Sequence, residues 1–115
     1  MKIYYNPKCS KSREAKKKLD ERGVAYTIHL YLDTPLSYAE IEVILVKLNL
    51  NVRDIIRTKE SIWQDNFKGG TFSDQELVKI VADNPILLER PIIEHKNIAV
   101  VARSEEKIVE ILATL

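Results

Sequence analysis

The chain has 115 residues, 45% of them hydrophobic and 30% charged, with a formal net charge of +1. That suits one domain around one core, and it leaves no bulk electrostatic case for nucleic acid, a membrane surface or a polyacidic partner. No apolar run approaches the ~18 residues a membrane span needs, and a single cysteine cannot close an internal disulfide.

The chain opens on a short apolar run, Ile3-Tyr4, that reads as a strand with no signal-peptide layout before it. With the lone thiol, this points to a reducing cytoplasm, and any redox cycle then needs a second thiol from another molecule. The stretch Tyr4-Tyr5-Asn6-Pro7-Lys8-Cys9-Ser10-Lys11-Ser12-Arg13 follows and leads into helix formers over 13–22, closed by Gly23. Cys9 therefore sits on the turn between a strand and the first turn of a helix. Backbone N–H groups at a helix start lack intrahelical partners and can bind an anion, a thiolate included. The helix dipole adds only about 0.3–1 kcal/mol at an exposed end, so nearby cations must help: Arg13, four residues on, with Lys8 and Lys11. Ser12 could offer its hydroxyl to the sulfur or to a bound oxyanion. The opposing view is a buried cysteine acting as a small hydrophobe; the polar neighbours on both sides argue against it.

The run 24–32, rich in β-branched and aromatic residues, reads as a second strand, which makes a βαβ unit with a parallel pair. Asp33-Thr34-Pro35 breaks it. A block of helices over about 37–84 comes next. Ser37-Tyr38-Ala39-Glu40 is a capping box leading Ile41, Ile44, Leu45 and Leu48 at helical spacing. Asn51 opens a shorter helix expected to carry Ile55, Ile56 and Arg57. Trp63 and Phe67, four apart, suggest a short helix closing at Gly69-Gly70. Ser73-Asp74-Gln75-Glu76 is a second capping box, and Asn84-Pro85 stops its helix.

Strand signals then return at 91–94 and 98–101, across a turn at His95-Lys96-Asn97, and Ser104 caps a last helix carrying Ile108, Val109, Ile111 and Leu112. The predicted class is α/β, a single thioredoxin-like domain (βαβ…ββα) with an all-helical insertion between its halves. By analogy with that fold, Pro91 is expected to be a cis-proline facing the cysteine. Lys16-Lys17-Lys18 reads as a solvated helix face. His29 and His95 have no metal-ligand spacing, and Trp63 and Phe67 read as packing.

Four segments resemble the glutaredoxin-coupled arsenate reductase (ArsC-like) family. They are N-P-K-C-S-K-S-R at 6–13, N-V-R-D-I-I-R at 51–57, N-P-I-L-L-E-R-P-I at 84–92 and V-V-A-R-S-E at 100–105. The resemblance implies that Cys9 attacks the arsenic of arsenate and that Arg57, Arg90 and Arg103 surround the oxyanion. Planar guanidinium forks suit such a dianion. It also implies glutathione as co-substrate, glutaredoxin as reductant and no bound cofactor. The family usually carries histidine four residues before the cysteine; here that position is Tyr5, whose hydroxyl can hydrogen-bond a thiolate but adds no charge. Two other readings share the residues. One is a glutathione-linked reductase of protein mixed disulfides. The other is an Spx-like RNA polymerase-binding regulator, which Ser12 disfavours because it replaces the second cysteine of that family's C-x-x-C switch.

Overall fold

The computed structural model describes all of residues 1–115. In chain order its elements are β1 (Lys2–Tyr4), α1 (Ser10–Glu21), β2 (Thr27–His29), α2 (Tyr38–Leu48), a 3-10 turn (Val52–Ile55), α3 (Ser61–Asn66), α4 (Asp74–Asp83), a second 3-10 turn (Pro85–Leu87), β3 (Ile92–His95), β4 (Ile98–Val101) and α5 (Glu105–Leu112). They fall into two compact units, Met1–Thr34 with Arg90–Leu115, and Pro35–Glu89.

The first unit is built on a four-stranded sheet in the order β2-β1-β3-β4. β1 and β2 run parallel, as the βαβ reading requires, while β1–β3 and β3–β4 are antiparallel. Ile3 lies opposite Ile93 in the ladder. Both are fully buried with Val100 and Ala102, against Ala15 and Leu19 of α1 and Ile108 and Ile111 of α5. The helical pairs are spaced four and three apart, so each helix turns one apolar stripe to the same core. Burying the isoleucine, leucine and valine side chains among them contributes about 1.5–3 kcal/mol each. α1 stops where Gly23 takes a left-handed φ of 65° and its N–H bonds Asp20 O, the usual way glycine closes a helix.

β2 is shorter than the apolar run over 24–32 suggested. Its one partner, β1, offers three residues, and after His29 the amides of Asp33 and Thr34 both bond Leu30 O, closing a turn instead of extending the strand. The hairpin turn is also tighter than expected: His95 pairs with Ile98, leaving Lys96 and Asn97 to turn, with Lys96 at a φ of 54°.

The second unit is helical. Ser37 and Ser73 each accept a hydrogen bond from the backbone N–H of the glutamate three residues on, whose carboxylate in turn accepts from the serine N–H; both capping boxes form as read. Asn51 and Asp54 make a third. Ile41 and Ile44 of α2, and Leu77, Val78 and Val81 of α4, are buried. The helix expected to run through Arg57 ends at Ile55. Ile56 is extended instead and forms an antiparallel bridge with Leu88, flanked by Arg57 N–H to Leu87 O and Glu89 N–H to Ile55 O, both 2.8 Å. Arg57 thus leaves a two-stranded bridge rather than a helix face. Strand, helix, strand, then hairpin and helix, with helices inserted between the halves in sequence, is the thioredoxin-like arrangement.

Candidate active site

In the first unit, sheet register gathers the loops that carry the predicted residues. Tyr4, the last residue of β1, pairs with Ile92, the first of β3, and Ile92 pairs with Val101, the last of β4. The loop carrying Cys9, the Arg90-Pro91 step and the Ala102-Arg103 step therefore all leave one end of the sheet. Ala102 N–H bonds Pro91 O at 2.8 Å, and Arg103 Nη1 donates to Arg90 O at 2.8 Å. The Arg90–Pro91 peptide is cis, as the fold analogy anticipated.

Cys9 is the N-cap of α1, in extended geometry, and its side chain makes no capping hydrogen bond. Its thiol is free and partly exposed, not walled into the core. The first helical amide bond is Arg13 N–H to Cys9 O, so the amides of Ser10, Lys11 and Ser12 precede the first intrahelical acceptor. The loop is stiff. Asn6 and Ser12 are the chain's two buried polar residues, and Asn6 N–H donates to Ser12 Oγ at 3.4 Å. Asn6 Oδ1 accepts from Lys8 N–H, and Asn6 O accepts from Cys9 N–H.

Ser12, whose hydroxyl is expected to donate to the sulfur or an oxyanion, also accepts the Asn6 amide at its oxygen and so braces the loop backbone. Arg13, expected beside the sulfur, donates from Nη1 to Pro7 O at 2.9 Å and ties the loop across its width. Tyr5 donates its amide to His29 O, and its ring packs against the core cluster. Asn6 is the residue sequence reasoning passed over. The signal was there, an amide side chain opening the N-P-K-C segment, where Asn favours local turns.

The arginines differ in environment. Arg90 is half-buried, and its Nε and Nη1 are shut off from solvent with no hydrogen-bond acceptor. A buried guanidinium without partners is costly, and buried polar groups are nearly always satisfied. Arg103 is exposed, with Nη1 bonded to Arg90 O. Arg57 belongs to the second unit, where Nη1 lies 2.6 Å from Glu60 Oε1 and Nε 3.9 Å from Glu89 Oε1. Neither glutamate was singled out from the sequence. Glu60 stands three residues past Arg57, but Glu89 meets it only through the Ile56–Leu88 bridge.

The lysine run is mostly spoken for. Lys16 pairs with Asp20 and Lys18 with Glu105. The Tyr26 hydroxyl, then Lys16, hold the Asp20 carboxyl below the usual carboxylate range.

The ArsC family model matches residues 4–111. An arsenate reductase of Neisseria meningitidis is 39% identical over 114 residues, covering 97% of each chain. An uncharacterized Escherichia coli protein, YfgD, is 39% identical over 97% of this chain and 96% of its own. The solved structure of an arsenate reductase from Vibrio cholerae superposes with a TM-score of 0.89 at 38% identity, over 96% of this chain and 98% of that one. With nearly its whole length matched in sequence and in fold, the chain belongs to the ArsC family.

Proposed function

We propose that the chain is a thiol-dependent arsenate reductase coupled to glutathione and glutaredoxin and working in the cytoplasm. The observation that carries this reading is Arg90: two buried guanidinium nitrogens without an acceptor, at the sheet end from which the Cys9 loop departs. A tetrahedral oxyanion supplies the acceptors that this guanidinium lacks, and each charge-assisted bond contributes about 1.5–3 kcal/mol. Arg103, bonded to Arg90 O, adds a second fork, and the family resemblance gives Arg57 the same role.

In the reaction, the Cys9 thiolate attacks arsenic, and an arsenate oxygen leaves as water once protonated. This forms a sulfur–arsenic bond. Glutathione displaces a second oxygen, again as water. A glutaredoxin thiolate then attacks the glutathione sulfur. The new disulfide forms as the electron pair of the arsenic–glutathione bond stays on arsenic, which passes from As(V) to As(III). Hydrolysis of the Cys9–arsenic bond releases arsenite and restores the thiol. The lone cysteine fits this scheme because the resolving thiols come from outside the chain.

The test is a coupled assay with arsenate, glutathione and glutaredoxin, run beside a glutathionylated protein as competing substrate. Cys9→Ser is expected to abolish arsenite production with an unchanged circular dichroism spectrum. Arg90→Ala is expected to weaken arsenate or sulfate binding about ten- to a hundredfold, the loss of one charge-assisted bond. Arsenite production that survives Cys9→Ser would remove the cysteine from the mechanism. Turnover of the mixed disulfide alone would replace arsenate with a protein substrate.

A further inference from the structure

Of the five α-helices, three open on a serine whose side chain caps the helix: α2 on Ser37, α4 on Ser73 and α5 on Ser104. The two that do not open on Cys9 and Glu60. Glutamate is a poor N-cap beside Ser, Thr, Asp or Asn, and the Glu60 side chain does nothing for α3. It goes to Arg57, at 2.6 Å from Nη1.

That contact is one of charge rather than a well-aligned hydrogen bond. Arg57 Nη1 is buried, yet no acceptor lies along its N–H bonds. Glu89 flanks the guanidinium on the Nε side at 3.9 Å. The side chains are only 24–27% exposed, so solvent screens the pairing less than on an open surface. An oxyanion that takes two adjacent guanidinium nitrogens must use Nη1 or Nε, and each has a carboxylate beside it.

Glu60 is the carboxylate free to leave. Its backbone is fixed by its N–H to Arg57 O, and its carbonyl accepts from Trp63 and Gln64. Displacement therefore needs only a side-chain rotation. Glu89, also held by its backbone through its amide bond to Ile55 O, stands farther off, at 3.9 Å from Nε against 2.6 Å from Nη1 for Glu60, so Glu60 is the stronger competitor.

We infer that Glu60 is a resident competitor for Arg57. It occupies the guanidinium until an oxyanion displaces it, and so lowers anion affinity at this arginine without taking part in the chemistry. The inference rests on the reading of Arg57 as an oxyanion ligand. Its test is a double-mutant cycle on Arg57→Ala and Glu60→Gln. Arsenate and sulfate dissociation constants are measured by calorimetry in the Cys9→Ser background, which cannot turn over, and kcat and KM in the background with Cys9 intact.

Glu60→Gln should tighten arsenate and sulfate about two- to fivefold, the scale of one partly exposed ion pair, and lower KM by a similar factor with kcat unchanged. In the Arg57→Ala background the same substitution should do nothing, because its effect passes through Arg57. If Arg57→Ala weakens binding while Glu60→Gln leaves it unchanged or weaker, Glu60 only braces the arginine and the competitor role is wrong, with the clamp intact. If Arg57→Ala itself leaves binding unchanged, the reading of Arg57 as a ligand fails, and the inference with it.

Discussion

Ile3 and Ile93 meet in the sheet unit from nearly opposite ends of the chain, both fully buried. In the helical unit, Ser37 and Glu40 close their capping box within one turn. The two regions are held by different means. The sheet unit depends on a core assembled from β1, α1, β3, β4 and α5, so no part of it is finished until the chain has returned. The helical unit buries residues too, but it leaves Val43, Val46 and Leu50 exposed on or just past α2, and it fixes its helix starts with side chains only two or three residues away. What differs between them is the sequence distance over which stabilising contacts act. The candidate site residues follow the same division: the cysteine loop is set by sheet register, whereas Arg57 is set by a local turn and one bridge.

The largest effect should come from the sheet unit. Ile93→Ala removes a fully buried side chain at the centre of the ladder and is expected to cost about 2–5 kcal/mol, read as a lower urea midpoint with the slope retained. A cost under about 1 kcal/mol, the range of surface substitutions and tolerated swaps, would break the contrast, since the core would then be as forgiving as the exposed α2 face.

Ser73→Ala should cost less, about 1 kcal/mol, the usual loss for an N-cap, seen as faster amide exchange in the first turn of α4 with β1 and β3 still protected. Equal loss of protection in both units would mean that they open together.

The smallest effect is in acid. The Ser73 backbone N–H, then its hydroxyl, hold the Glu76 carboxyl below the usual carboxylate range. Its folded value is depressed, so its contribution is present above the unfolded value and is lost as pH falls through the folded one. The acid limb of a stability-against-pH curve should therefore be shallower in Glu76→Gln, with little difference between the curves' shapes above that range.

Legibility followed the same line. The capping boxes at Ser37 and Ser73, the helix stop at Gly23 and the place of Cys9 at a helix start could all be read from neighbouring residues. They rest on contacts a few positions apart. Arg90, Pro91 and Arg103 were reached through resemblance, since nothing local separates them from surface residues. The burial of Ser12, by contrast, had no local sign: its role is set by the Asn6 amide that the loop brings to it. Nor did the apolar run over 24–32 reveal that β2 would stop after three residues, because the limit is imposed by β1.

The sequence by itself determined the class of fold, the helix boundaries with side-chain caps and the single thiol, because backbone preferences and capping bonds act within a turn or two of chain. Tertiary structure alone decided that Arg90 would be half-buried with two guanidinium nitrogens unanswered and that Arg57 would lie between two carboxylates. Burial and ion pairing depend on distances through space. Strand register sets them at the sheet end, and the pairing of Ile56 with Leu88 sets them around Arg57.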